Sequence, residues 1–252
     1  MTGYDKELNN QLENSEKPGI NEFMKHLYRL VHAEVKNSRD ILEIGSGAGI
    51  SKMYLASLNI LRTDIFGFPL NDVRGGIDSH KLPFQNGSFD SCIAIDVLHH
   101  LANPITALAE LKRVTKLDNF GRIVLIEPYV TPFSYPIYRL FHSEKTSNPW
   151  LKKYSEPFIS EKPEDGDQAL SRLLFTKRDG QALILKLFPA QEYRIDVKVF
   201  SIFSFFVTGG LSRPLPVPRK LIQSLFKLES FLPQKVMKIL GCRCIIVIRK
   251  YI

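Results

Sequence analysis

The sequence predicts an α/β protein built on a doubly wound, mostly parallel, seven-stranded sheet. Strand-like apolar runs alternate with helix-like segments through the first half of the chain, which indicates successive βα units. Two of these runs, "CIAI" (92–95) and "IVLI" (123–126), are continuously apolar, as in parallel strands buried on both faces. A glycine-rich turn at residues 45–49 joins the first strand to a helix-permissive segment.

The first half of the chain supplies five of the seven strands. Apolar residues recur with helical spacing over residues 20–36 and predict the first helix. Asn103 before Pro104 is typical of a helix start. Strands are predicted at 40–44, 59–64, 73–77, 89–95 and 121–126, and further helices at 50–57 and 104–117. We therefore expect a core at residues 20–128, preceded by a flexible polar segment at residues 1–19.

The alternation stops after residue 128. Helices are predicted at 167–175 and 178–187, and the last two strands at 192–200 and 242–250. Long insertions after the ends of sheet strands are where α/β proteins form substrate pockets. We expect a substrate-cap insertion at 129–191 and a basic, apolar helical insertion within 192–252, so that helical caps follow strands five and six of the same domain.

The net charge of +8 comes from the C-terminal part of the chain, because residues 210–252 carry nine Lys or Arg and one Glu. The N-terminus lacks a signal-peptide pattern, and the longest apolar stretch, 199–211, is shorter than the roughly 20 residues of a membrane span. The three cysteines lie in strand-like runs, which favours buried thiols. Cys and His lack metal-site spacing, so no metal is predicted. We expect a cytoplasmic protein.

The glycine turn, Gly45-Ser46-Gly47-Ala48-Gly49, matches neither common phosphate-binding pattern. A phosphate loop places Lys-Ser or Lys-Thr after its last glycine, and the dinucleotide fingerprint separates its second and third glycines by two residues. Glu43 precedes the first glycine by two positions. A carboxylate at the mouth of the turn would repel a pyrophosphate and favour a positively charged ligand.

The pattern Glu-x-Gly-x-Gly-x-Gly at a strand-turn-helix resembles the first motif of class I S-adenosylmethionine-dependent methyltransferases. The segment "LPFQNGSFDSCIAIDVLHHL" (82–101) is similar to the fourth-strand region of the branch that includes ubiquinone and menaquinone methylases. The resemblance covers residues 20–128, and the last two strands in outline. It implies a Rossmann-like methyltransferase fold, S-adenosyl-L-methionine as cofactor and S-adenosyl-L-homocysteine as product.

The cofactor site implied by this resemblance follows the ends of the first four strands. Asp64 ends the second strand, where an acid can accept hydrogen bonds from both ribose hydroxyls. Asp78 ends the third strand, where the resemblance implies a carboxylate at the adenine amino group. The full set of expected cofactor-binding residues is Glu43, Gly45, Ser46, Gly47, Gly49, Asp64, Asp78, Ser79, Asp96, Val97 and His99.

Methyl transfer requires no fixed catalytic residue, because positioning alone can supply roughly 7–11 kcal/mol. His100 is our candidate for a catalytic base, with helix capping or lining of the cofactor pocket as the alternative. Glu127 is a candidate to bind or deprotonate the acceptor, with a structural role at the strand end as the alternative. Candidate substrate-pocket residues are Tyr129, Tyr135, Tyr138 and His142.

The apolar insertions favour a small-molecule or lipid-linked acceptor, such as a quinone or a glycan–lipid intermediate, and O-methylation over transfer to carbon or nitrogen. A nucleic-acid acceptor is disfavoured, because residues 96–99 read Asp-Val-Leu-His where methylases of nucleobase amino groups have an Asn/Asp-Pro-Pro-aromatic run. An RNA or nucleic-acid methyltransferase and a non-catalytic methyltransferase-like binding protein remain alternatives.

Residues 212–240 combine an apolar helical face with lysines and arginines. One interpretation is a pair of helices that pack over the sheet edge. The other is a basic amphipathic surface that contacts anionic lipid at the inner face of the membrane. The sequence does not indicate an oligomeric state.

Overall fold

A computed structural model describes residues 3–116, 121–142, 144–159 and 166–251, and these form one seven-stranded sheet with the strand order β3-β2-β1-β4-β5-β7-β6. The pairs among β1–β5 are parallel, and β7 is antiparallel to both of its neighbours, β5 and β6. This confirms the predicted fold class. The strands are β1 Ile41–Ile44, β2 Ile60–Thr63, β3 Val73–Arg74, β4 Ser91–Ile95, β5 Arg122–Pro128, β6 Tyr193–Phe200 and β7 Arg243–Lys250.

Helices cover both faces of the sheet, and most of them lie where the sequence predicts. They are α1 Gly3–Ser15, α2 Pro18–Val35, α3 Ser51–Tyr54, α4 Pro104–Val114, α5 Ser134–Phe141, α6 Leu170–Phe175, α7 Arg178–Leu187, α8 Phe203–Phe206, α9 Arg219–Ser230 and α10 Gln234–Leu240. Asn103 is the N-cap residue of α4, but its side chain makes no capping hydrogen bond. The predicted segments also include residues 1, 2, 117–120, 143, 160–165 and 252, which lie outside the described residues.

Alternate residues of each strand face two separate hydrophobic layers. On β1, Ile41 packs with α1, α2 and α9, whereas Leu42 packs with α4, α6 and α7. This two-sided burial explains the continuously apolar strands. The helices α6 and α7 thus cover a face of the sheet, although they fall inside the segment predicted as a substrate cap; Leu170, Leu173 and Leu174 are fully buried there.

The helix α1 differs from the expectation of a flexible N-terminal segment. Leu8 is 2% exposed, and Leu12, one helical turn later, packs against the same hydrophobic layer as α2. The side-chain amide of Asn14 also donates a hydrogen bond to the carbonyl of Leu211 at 2.8 Å. Two leucines in a polar segment are too weak a pattern to predict a helix, and tertiary contacts supply its stability.

The helix α9 packs along α2 through aromatic side chains. The ring of Phe226 stacks on those of Phe23, at 5.7 Å between centroids, and His26, at 3.8 Å. Ile222 is fully buried in this contact, whereas Leu228 and Phe231 are 65% and 75% exposed. Part of the apolar face predicted in 212–240 therefore packs on the protein and part of it meets solvent. Among the described helices, none has the length and apolar character needed to cross a bilayer.

Candidate cofactor and active site

The glycine turn leaves β1 with three backbone positions in the left-handed region, at Gly45 (φ +59°), Gly47 (φ +50°) and Gly49 (φ +64°). Side chains adopt this region at a cost, so glycine is favoured. A Cβ atom on Gly45 would lie 2.5 Å from a methyl carbon of Val97, and one on Gly49 would lie 2.6 Å from Cβ of Asn71. Gly47 is the least crowded of the three, since the nearest atom to its Cβ position is Cδ2 of Leu8 at 4.0 Å, an ordinary van der Waals contact.

Asp64 follows β2 and lies beside Gly47. Its Oδ2 accepts a hydrogen bond from the Gly47 amide at 2.8 Å, and its Oδ1 accepts one from the Phe66 amide at 3.1 Å. A carboxylate offers about four acceptor positions, so Asp64 retains capacity for ribose hydroxyls. The amide of Ser46 donates to the carbonyl of Thr63 at 3.0 Å, which fixes the turn against β2.

Asp78 lies next to Asp64, although β3 ends at Arg74, four residues earlier than Asp78. The amide of Ile77 donates to the carbonyl of Asp64 at 3.0 Å, which brings the two acids to the same edge of the sheet. Asp78 is exposed, and Ser79 beside it is partly exposed. Burial opposes ionisation of Asp78, but hydrogen bonds from the His80 amide and ring outweigh it and lower the pKa of this carboxyl.

The sequence led us to expect Glu43 at the mouth of the turn, but the structure buries it beneath the turn. The side chain is 3% exposed, and Oε2 accepts a hydrogen bond from the Ser51 hydroxyl and lies 3.7 Å from Nε of Arg62. Nε of Arg62 donates to Oγ of Ser51 at 2.8 Å. Burial raises the pKa of Glu43 to about 7. This network ties β1, α3 and β2 together, so Glu43 supports the turn from below.

Asp96 follows β4 and is paired with an arginine from β7. Its backbone is left-handed (φ +57°), and its amide donates to the carbonyl of Ile126 at 2.8 Å. The two carboxylate oxygens lie 2.6 and 2.7 Å from Nη2 of Arg243. Arg243 is 4% exposed, and its guanidinium lies 5.1 Å from the ring centroid of Phe205. Asp96 is thus in the predicted position, but its charge is balanced by a protein residue.

Glu127 at the end of β5 holds the turn that follows β4. It is fully buried, and Oε1 accepts hydrogen bonds from the amides of Val97 (3.1 Å) and Leu98 (2.8 Å). Oε2 accepts a third from Nδ1 of His99 at 2.6 Å. The expectation that Glu127 binds or deprotonates an acceptor is therefore not supported. Glu127 is a positioning residue, because its oxygens face the protein interior.

His99 lies between two carboxylates, Glu127 on Nδ1 and Glu144 on Nε2, the latter at 3.3 Å. Burial disfavours the imidazolium, but the two acids outweigh it and raise the pKa of His99 to about 10. The neighbouring ring of His100 is 4.2 Å away between centroids. Burial and the charge of His99 lower the pKa of His100. His100 is therefore neutral near pH 7 and able to accept a proton, as a catalytic base must.

The four aromatic and histidine candidates for the substrate pocket separate into two pairs. Tyr129 and Tyr138 are 2% and 1% exposed, and the hydroxyl of Tyr138 donates to the carbonyl of Cys242 at 2.7 Å. These two belong to the core, since a buried partner satisfies the tyrosine hydroxyl. Tyr135 packs edge-on against the ring of Trp150, and His142 packs edge-on against Tyr138; both are partly exposed.

Two residues of this region were missed by the sequence analysis. Arg243 could have been found from the sequence, since it is a lone charge in the apolar strand "CRCIIVI" and such a residue needs a buried partner. No sequence pattern indicates Glu144, because it reaches His99 from the segment after α5, far away in the sequence.

The strand order, the glycine turn after β1 and the acids after β2 and β3 define the fold of the class I S-adenosylmethionine-dependent methyltransferases. Residues 42–120 match the family described as "Methyltransferase domain". The matched segment is about a third of the chain, and it includes the glycine turn and the turn after β4.

Individual relatives agree with this assignment. A demethylmenaquinone methyltransferase from Streptomyces avermitilis is 30% identical over 124 residues, which are 45% of this chain and 50% of that protein. A solved SAM-dependent methyltransferase from Thermotoga maritima, described as a possible histamine N-methyltransferase, is 15% identical with a TM-score of 0.54, covering 98% of this chain and 96% of that one.

A solved SAM-dependent methyltransferase from Archaeoglobus fulgidus is 16% identical with a TM-score of 0.51, covering 91% of this chain and 94% of that one. At these identities the likeness to the two solved structures concerns the fold. The chain spans about half the length, or less, of the curated relatives that it matches.

Proposed function

We propose that the protein transfers a methyl group from S-adenosyl-L-methionine to a small-molecule or lipid-linked acceptor, with oxygen as the favoured reacting atom. The observation that carries this proposal is that Gly47, beside the carboxylate of Asp64, is approached only by Leu8 at van der Waals distance, while Gly45 and Gly49 are closely packed. This arrangement fits a ligand that lies against the backbone of the turn and presents hydroxyl groups to an acid. The matched methyltransferase domain covers the same residues.

The sulfonium of the bound donor would supply an electrophilic methyl group. Asp64 would accept hydrogen bonds from the ribose hydroxyls, and Asp78 would accept one from the adenine amino group. His100, as a neutral imidazole, would take the proton from the acceptor hydroxyl. His99 is already protonated and is held by Glu127, so it contributes a fixed positive charge and not a base.

The surface beside this site favours an apolar acceptor. Leu140 and Phe141 at the end of α5 are 76% and 78% exposed, and Trp150 and Leu151 are 40% and 81% exposed. These residues lie on either side of Glu144 in the sequence, and Glu144 contacts His99. A quinone or a lipid-linked glycan is consistent with this surface, and the demethylmenaquinone methyltransferase relative supports an acceptor of the same kind.

We also propose that the protein works at the surface of an anionic membrane. Leu228, Phe231 and Ile239 on or beside α9 and α10 are more than half exposed, in helices that also carry exposed lysines. The one acid of residues 212–240, Glu229, is buried and accepts a hydrogen bond from the amide of Ser204 at 2.9 Å. Exposed apolar side chains surrounded by positive charge match the surface of an anionic bilayer.

Isothermal titration calorimetry with S-adenosyl-L-methionine and S-adenosyl-L-homocysteine tests the cofactor site. Asp64→Ala should abolish measurable affinity, whereas Asp179→Ala, a matched control on an exposed position of α7, should leave it unchanged. Affinity retained in Asp64→Ala would reject this site.

Release of S-adenosyl-L-homocysteine should then be measured with quinones, lipid-linked glycans and RNA. Turnover on RNA alone would favour a nucleic-acid methyltransferase, and cofactor binding without turnover on any acceptor would favour a non-catalytic binding protein. Sedimentation with vesicles tests the membrane contact. We expect binding to anionic vesicles at low salt and release at high salt, and equal behaviour with zwitterionic vesicles would contradict it.

A further inference from the structure

Two neighbouring histidines after β4 and one carboxylate from the segment after α5 converge on the same point. His99, His100 and Glu144 can each offer one ligand atom, and the three atoms lie within 4.8 Å of one another. Nε2 of His99 is 3.3 Å from Oε2 of Glu144, and Nε2 of His100 is 3.8 Å from Oε1. We propose that these three residues bind a single divalent transition-metal ion of the Zn²⁺ and Co²⁺ type.

The hydrogen bonds behind these residues match those of a metal site. Nδ1 of His99 donates to the carboxylate of Glu127 at 2.6 Å, which fixes the ring and directs Nε2 towards Glu144. Metal-ligating histidines commonly donate their second nitrogen to a carboxylate in this way. Glu127 is itself held by the amides of Val97 and Leu98, so the orientation of the ring depends on the backbone of the domain.

The charges of the cluster also favour a cation. Two carboxylates, the buried Glu127 and the partly buried Glu144, face the ring of His99 from opposite sides. Adjacent charges in the described residues cancel in pairs, Asp96 with Arg243 and Asp167 with Lys152. A divalent ion between His99 and Glu144 would offset the charge of the two carboxylates, which lowers the cost of their burial.

Two further features concern His100 and the orientation of Glu144. Nδ1 of His100 is buried and has no hydrogen-bond partner within the described part of the chain. Buried polar atoms are normally paired, so no hydrogen bond to Nδ1 commits this ring to a structural role. The side-chain amide of Gln168 donates to Oε2 of Glu144. Gly166 packs against both ligands, since a Cβ there would lie 2.7 Å from Oε2 of Glu144 and 2.9 Å from Cε1 of His100.

The ligand set selects the class of ion. Two imidazoles and one carboxylate suit Zn²⁺, Co²⁺ and related ions, whereas Mg²⁺ and Ca²⁺ prefer oxygen ligands. Metal–ligand distances of about 2.0–2.2 Å require the three side chains to draw together on binding. Three protein ligands leave one position open, as in catalytic zinc sites. An acceptor oxygen bound there would lose its proton more readily, so the ion would take over the part that His100 has as a base when no metal is bound; this consequence rests on the proposed methyl transfer.

The experiment is a Co²⁺ titration of the full chain after treatment with a chelator, followed by visible absorption and then by displacement with Zn²⁺. We expect one equivalent of Co²⁺ to bind with d–d bands in the visible range. Glu144→Gln and His100→Ala should each weaken binding at least about tenfold. His32→Ala, which removes a histidine from α2, should bind as the wild type does and controls for non-specific association.

Circular dichroism should verify the fold of each variant. His100 is 30% exposed and Glu144→Gln is conservative, so at least one folded variant is expected. Zn²⁺ should also raise the melting temperature of the wild type and not that of Glu144→Gln. Absence of saturable binding, or equal affinity in the wild type and both variants, would overturn the proposal. The titration contains neither methyl donor nor acceptor, so its failure is distinguishable from failure of the proposed function.

Discussion

The Cδ2 atom of Leu8 lies 4.0 Å from the position that a Cβ atom on Gly47 would occupy. The first helix thus contacts the glycine turn at Gly47. A cofactor bound beside Gly47 would also contact α1, so we infer that α1 covers the bound donor and excludes water from it.

Shortening Leu8 should therefore shorten the residence time of the cofactor. Leu8→Ala removes a side chain that is 2% exposed, and we expect α1 to release from the turn more often. The dissociation rate of S-adenosyl-L-homocysteine, measured by stopped-flow fluorescence, should rise severalfold, with a loss of about 2–3 kcal/mol in the free energy of unfolding. Leu185→Ala on α7, at a side chain 49% exposed, is the control. An unchanged dissociation rate would show that α1 does not enclose the ligand.

Alanine at Gly45 and at Gly47 should have different effects. Both positions have positive φ, which costs a residue with a side chain roughly 1–2 kcal/mol. At Gly45 the new methyl group also meets Val97 at 2.5 Å, so overpacking adds about 1–3 kcal/mol to the loss of stability. At Gly47 the methyl group meets only Leu8, at an ordinary van der Waals distance of 4.0 Å, so the loss of stability stays at the roughly 1–2 kcal/mol of backbone strain while cofactor affinity falls more than tenfold.

Chemical denaturation and calorimetry on the two variants measure these losses separately. The double variant Gly45→Ala/Val97→Ala should recover part of the stability, because it removes the close contact but keeps the backbone strain. If Gly47→Ala bound the cofactor as tightly as the wild type, the ligand would not lie against this backbone position.

The pair formed by Asp96 and Arg243 should respond asymmetrically to mutation. Arg243 is 4% exposed, whereas the side chain of Asp96 is 41% exposed. Asp96→Ala leaves a buried guanidinium unpaired and should cost about 3 kcal/mol in the free energy of unfolding, the lower end for a broken buried pair. Arg243→Met leaves a hydrated carboxylate and an apolar side chain beside Phe205, and it should cost clearly less. Urea denaturation measures both, and equal losses would contradict the assigned burial.

The pattern of apolar residues predicts most of this fold because each strand of the parallel core is buried on both faces. The prediction is least accurate where local sequence is weak. The third strand is two residues long instead of five and pairs with β2 only through Val73 and Arg74, and α3 is a single turn. The helix α1 depends on contacts with α2 and with Leu211, which a polar segment does not reveal.

The motif gives Gly47, Asp64 and Asp78 a fixed place in the fold, and their contact with a ligand stays a prediction. Sequence position does not reveal burial, which is why Glu43 and Glu127 were expected to face a ligand. Both lie within strands, β1 and β5, and have backbone or side-chain donors that satisfy them inside the protein. Glu144 becomes visible only when the segment after α5 folds back onto His99.

The contact between α2 and α9 should make stability depend on pH through His26. The imidazole stacks on Phe226, and burial, helped by the charges of Arg29 and Lys198 and opposed by Glu22, lowers the pKa of His26 from 6.5 to about 4. Between these two pH values the unfolded chain binds more protons than the folded protein. Stability contributed by the neutral ring is therefore complete above pH 6.5 and is lost as the pH falls towards 4.

This dependence amounts to about 3.5 kcal/mol at most, since each pKa unit corresponds to about 1.4 kcal/mol. His26→Phe keeps an aromatic ring against Phe226 but removes the titrating group, so the free energy of unfolding should change less between pH 7 and pH 4 in this variant than in the wild type. His32→Phe, six residues further along α2, should retain the full dependence. Denaturation with urea at several pH values measures the difference. Parallel curves for the wild type and His26→Phe would mean that His26 is protonated in the folded protein, and its stacking on Phe226 would then persist with a charged ring.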